Sequence, residues 1–172
     1  MSITWSELER RLPSKPFTTV SSVLSKGETI DELIVSNSDR QALLALQTGL
    51  LFVRWPRSGA LKVAAALVVP IAAIGVLATT HKSGVGHLSI KYSEIDELFI
   101  RHIRGGRLVE ARTNAFKTLT PQKGTWWEYG GRPNHWNALL LQKRDLAGQE
   151  TALEHIRKLV IERKDGSLLL ND

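Results

Sequence analysis

Cysteine is absent from all 172 residues. That excludes a disulfide framework, a thiolate nucleophile and any Cys-ligated zinc or iron–sulfur site. It leaves the compartment open. The sequence also lacks a Gly-x-x-x-x-Gly-Lys phosphate loop, a Gly-x-Ser-x-Gly nucleophile elbow and a dinucleotide fingerprint, so no motif names a reaction. Heptads, low-complexity segments and solenoid periods are missing too; the single echo is Gly-Gly-Arg, at Gly105-Gly106-Arg107 and Gly130-Gly131-Arg132. Residues 1–10 do not show the positive-then-apolar order of a secretory signal peptide. Aromatic residues are scarce, 6% of the chain, which makes their clustering informative. What remains is 42% hydrophobic and 23% charged, a balance that excludes disorder and a polytopic transporter. The length suits one compact domain, or a small domain with an anchor.

One long uncharged run stands out. Residues 63–80 (VAAALVVPIAAIGVLATT) carry no ionisable side chain, with Lys62 before them and His81-Lys82 after. Their number is at the lower edge for a hydrocarbon core of about 30 Å at roughly 1.5 Å per residue. Val63, Leu67, Val68, Val69, Ile71, Ile74, Val76 and Leu77 would point all round a helix, which calls for burial on every side, by lipid or by protein. At roughly −0.3 to −0.6 kcal/mol each, they favour insertion by about 2.5–5 kcal/mol, a margin narrowed by Pro70. The expectation is a single membrane-spanning helix. The alternative is a buried core helix, or two buried strands broken at Pro70. Residues 42–53 (ALLALQTGLLFV) are too short to cross and read as core, an interfacial helix or half of a hairpin. Arg54, Trp55 and Arg57 in the following turn have the composition of a membrane-interface collar.

The remainder divides by period. Thr4-x-x-Glu7, Thr29-x-x-Glu32 and Ser38-x-x-Gln41 each match a capping box, which predicts a helical N-terminal region with a loop from Pro13 through Gly27. After Gly86 the period becomes two. Leu88, Ile90 and Tyr92 alternate with polar residues, residues 95–103 continue as strand, and Arg104-Gly105-Gly106-Arg107 offers a hairpin turn. Residues 108–116 and 134–143 supply two further strands. A helix capped at Thr151-x-x-Glu154, apolar along Leu153, Ile156, Leu159 and Val160, ends near Asp165-Gly166. The fold class expected is α+β: a helical N-terminal region (1–58), one apolar, candidate membrane-spanning helix (59–82), then a small antiparallel-sheet domain (83–172) closed by a C-terminal amphipathic helix. Strands followed by one helix resemble, in order alone, the bacterial pleckstrin-like domains that follow membrane segments; no residue signature assigns the chain to them.

Charge is the strongest asymmetry. Residues 99–144 hold nine Lys or Arg against Glu110 and Glu128, so this stretch carries the whole formal net charge of +6. Trp126, Trp127, Tyr129 and Trp136 are interleaved with it. Guanidinium forks grip phosphate and indoles stack on bases or sit among headgroups, so the candidate binding residues are Arg101, Arg104, Arg107, Arg112, Trp126, Trp127, Arg132 and Trp136. A solvated basic face with buried tryptophans is the plainer alternative. Catalytic signals are weaker. The five histidines are scattered without zinc spacing. His102 beside Asp96 is a candidate acid–base pair, and Glu94, Asp96, Glu97 and Glu110 with Arg112 form a loose nuclease-like carboxylate set. No metal or cofactor is expected. The leading expectation is a non-catalytic, membrane-anchored binding or assembly protein whose basic Trp-rich domain engages an anionic partner (nucleic acid or headgroups) or another subunit, be it a protein partner or a second copy. Membrane lipid is then a partner too, with orientation unresolved. The runner-up is a soluble, cytoplasmic DNA- or RNA-binding protein with metal-dependent nuclease activity as its extreme form. A third reading is a subunit of a larger assembly, with Trp126 and Trp127 in the contact.

Overall fold

The computed structural model describes residues 2–24, 28–55, 79–80, 86–114 and 137–168, with side chains omitted at 79–80 and 165–168. Helix α1 (Trp5–Arg11) starts at Thr4, whose Oγ1 accepts from the Glu7 amide at 3.3 Å, so the N-cap half of the first capping box forms. Pro13 then initiates a second helix, α2 (Ser14–Val23), in place of the expected loop. Pro13 and Pro16 fall where backbone N–H groups have no intrahelical partner, so neither blocks the helix. The hydroxyls of Thr18, Ser21 and Ser22 donate back to the carbonyls of Ser14, Thr18 and Thr19, which lets a Ser/Thr-rich segment remain helical.

The other two capping boxes do not form. Instead β1 (Ile30–Ser36), β2 (Gln41–Leu46) and β3 (Gly49–Arg54) make an antiparallel meander. Arg40, at φ 55°, closes the β1–β2 turn, and the side chain of Gln41 reaches away to another strand rather than capping a helix. β5 (Gly86–Lys91) pairs with β3, and the two-residue β4 (Thr79–Thr80) pairs with β5, giving a five-stranded sheet of order β1-β2-β3-β5-β4. The meander is buried on both faces. Leu33, Val35, Ala42, Leu44, Leu51 and Val53 pack with Leu8, Leu12 and Val20 of the first two helices. Ile34, Leu43, Ala45, Leu50 and Phe52 point the other way into a second core. A sheet covered on both sides needs near-continuous apolar sequence, which is why residues 42–53 look helical or strand-like by composition alone.

That pairing corrects the membrane expectation. No helix among the described residues is long and apolar enough to cross a membrane. A single crossing would leave its two flanks about 30 Å apart on opposite sides. Arg54 and Gly86 are instead direct partners across the β3–β5 ladder, and Thr79–Thr80, the last residues of the uncharged run, pair with His87 and Gly86. The chain leaves one strand and returns to its neighbour, so the two flanks are not held apart as a single crossing requires. Residues 63–78 lie outside the described residues.

A 3-10 turn (Tyr92–Glu94) leads to the second sheet, β6 (Glu97–Ile103), β7 (Gly106–Arg112) and β8 (Ala138–Gln142), antiparallel in that order. The hairpin turn falls on Arg104-Gly105 as expected, with Gly105 at φ 86°. Gly106 is required by close approach: a Cβ there would lie 2.0 Å from the Leu141 carbonyl oxygen. Helix α3 (Lys143–Leu146) follows at once, then α4 (Glu150–Leu168). The expected cap at Thr151 is displaced: the Leu153 amide bonds to the Gln149 carbonyl, so α4 begins one residue before Thr151. Leu153, Ile156, Leu159 and Val160 close the second core against both sheets, with Val109, Ala111, Leu139 and Leu141 from β7 and β8. The protein is a small α+β fold of two antiparallel sheets and a C-terminal helix.

Polar side chains fasten the sheets together. Gln149 of the α3–α4 turn accepts from the Val35 amide at 2.8 Å and donates to the Val35 carbonyl at 2.9 Å. Asp145 accepts from Ser36 Oγ and the Ser38 amide. Gln41 Oε1 accepts from the Leu140 amide at 3.0 Å, and Arg54 Nη2 donates to the Ala138 carbonyl at 3.0 Å.

Candidate anion-binding surface

The register of the second sheet decides where its cations go. Glu97, Phe99 and Arg101 on β6 face the same way as Leu108, Glu110 and Arg112 on β7, away from the shared core. On that face Arg112 Nη1 bonds Glu97 Oε2 at 2.8 Å and its guanidinium carbon lies 3.8 Å from the centre of the Phe99 ring. Arg107 falls on the opposite face, aligned with Val109 and Ala111, and reaches Glu150 at the start of α4. The four described candidate arginines therefore do not form one stripe. Arg101 and Arg112 share a face, Arg107 is on the other, and Arg104 projects from the turn. Trp126, Trp127, Arg132 and Trp136 lie outside the described residues.

A different grouping appears at the end of the sheet. Gly106 is opposite Gln142, and the Lys143 amide donates to the Gly105 carbonyl at 2.7 Å. This puts exposed Arg104 in the hairpin turn beside exposed Lys143 and Arg144 at the start of α3, with Arg107 just inside. The neighbouring carboxylates are engaged: Asp39 accepts from Gln142 Nε2 at 3.0 Å, Asp145 holds the β1–β2 turn, and Glu150 faces Arg107 at 3.7 Å. The Arg144 guanidinium bonds the Ser38 hydroxyl, which fixes its direction. Lys143 and Arg144 count in the sequence tally of charge but are not singled out there, because only the β7–β8 register reveals their closeness to the turn.

The catalytic candidates separate. His102 and Asp96 sit at opposite ends of β6, roughly 20 Å apart at about 3.3 Å per residue, too far for an acid–base pair. Glu97 is held by Arg112, and Glu94 Oε2 accepts from the Lys91 amide at 3.2 Å. Among the described residues no three His, Asp or Glu side chains are grouped to hold a metal ion.

A second polar cluster, on the far part of α4, is structural. Arg163 Nη2 bonds Asp31 Oδ2 at 2.7 Å while its Nη1 shares the Leu46 carbonyl with the Tyr92 hydroxyl. Burial pushes the Tyr92 hydroxyl above its ordinary value of 10.0, against the lowering influence of Arg163. Nearby, His155 Nδ1 lies 3.0 Å from Glu32 Oε2. Compared with known protein families, with curated proteins and with solved structures, the chain matches none.

Proposed function

We propose that this chain is a non-catalytic nucleic-acid-binding protein that grips backbone phosphates at the end of its three-stranded sheet. The observation that carries this reading is the meeting of Arg104 with Lys143 and Arg144 across the Gly105–Lys143 hydrogen bond. Three exposed cations on a hairpin turn and a helix start, beside a fourth on β7, can neutralise successive phosphates. The sequence supports the same reading, because residues 99–144 hold the surplus positive charge. Nuclease activity has no such support, since no three His, Asp or Glu side chains among the described residues are grouped to hold a metal ion.

The test is binding of a fluorescein-labelled oligothymidylate as a function of salt. Affinity is expected to fall linearly on a log–log plot as counterions are released. An Arg104→Ala, Lys143→Ala, Arg144→Ala variant should lose about two units of that slope, at roughly 0.7 per phosphate contact. Circular dichroism would check that it remains folded. Retention of the full slope by the folded variant would overturn the assignment.

A further inference from the structure

Among the described residues, Arg107 is the member of this group that is paired with a carboxylate. Its Nη2 lies 3.7 Å from Glu150 Oε1, a single long contact, while its buried Nε has no acceptor among the described residues. The two partners differ in exposure: 19% of the Arg107 side chain is accessible against 64% for Glu150. The arginine is anchored on β7 by its place in the ladder between His102 and Leu141. The carboxylate stands in water at the first residue of α4 and can turn aside by rotamer change alone. A phosphate can offer the guanidinium two parallel, charge-assisted bonds where Glu150 offers one long one.

We infer that Glu150 is a built-in competitor for Arg107, which a nucleic-acid phosphate must displace before Arg107 joins Arg104, Lys143 and Arg144 in the bound state. This inference rests on the reading above and assigns that surface an internal brake. The carboxylate keeps Arg107 from weak or singly charged anions, and yields to a polymer already held by the neighbouring cations.

The experiment is the same salt titration with Glu150→Gln, which keeps the side-chain size and removes the charge. Glu150→Gln should tighten oligothymidylate binding about two- to fivefold, the worth of one exposed ion pair, and steepen the salt slope by about 0.7, one further phosphate. The gain should vanish when Arg107→Gln is added. Glu154→Gln, on the same helix and paired with Arg157, is the control for a general change in net charge and should produce neither effect. If wild type binds but Glu150→Gln changes nothing, or gains equally with Arg107→Gln present, the competitor role is wrong while the binding surface stands. If wild type does not bind, both are overturned.

Discussion

The two sheets solve the same problem of burial in different ways. The inner strands of the five-stranded sheet are covered on both faces, by α1 and α2 on one side and by the second core on the other. The three-stranded sheet commits one face to that core and leaves its edge strand β6 half-exposed. The first sheet is scaffold, with no room for charge except at its ends. The second can carry arginines along its outer face and around its hairpin, and its tip therefore holds the candidate binding residues.

Truncation in the two sheets should expose this contrast most strongly. Leu44→Ala, at the fully buried centre of β2, is expected to cost about 2–5 kcal/mol in chemical denaturation, whereas Ile100→Ala on half-buried β6 should cost markedly less. Equal losses would show that the three-stranded sheet is as tightly enclosed as the other. The next effect is smaller and depends on pH. Tyr92→Phe removes the hydroxyl bonded to Leu46 and should cost about 0.5–1.5 kcal/mol at neutral pH. Because burial raises the Tyr92 value, its contribution is fully present below the unfolded-state value of about 10 and is lost as pH climbs through the folded-state one. The gap between wild type and Tyr92→Phe should therefore narrow above about pH 10. A constant gap up to the alkaline limit would contradict that. The smallest change is Glu97→Gln, which breaks the exposed ion pair with Arg112 and should cost no more than about 1 kcal/mol, vanishing in high salt.

The same contrast explains what can be read from the linear chain. Strand β5 and the second half of β7 show a period of two, apolar side chains on one face alternating with polar ones on the other. Leu88 and Ile90 alternate with His87 and Ser89, and Val109 and Ala111 with Glu110 and Arg112. The strands β2 and β3 show no alternation, since Leu43 and Leu44 are equally buried in different cores. Capping grammar misleads for a related reason. Thr29 and Ser38 precede Glu32 and Gln41 at the right spacing, but Ser and Thr also suit turns and strand ends, and burial of Ile30, Leu33 and Val35 outweighs a local cap. Of the binding surface, Arg104 and the turn it occupies are legible. The approach of Lys143 to Gly105 depends on strand pairing between distant residues and leaves no local mark.

One consequence of the sheet fastenings concerns self-association. The outward-facing amide of Leu140 and carbonyl of Ala138 would, if bare, offer a template on which a foreign segment could grow a fourth strand. Gln41 and Arg54 occupy both positions from within the same molecule. Side chains thereby serve as a gatekeeper against aggregation along that rim, without the expense of another strand.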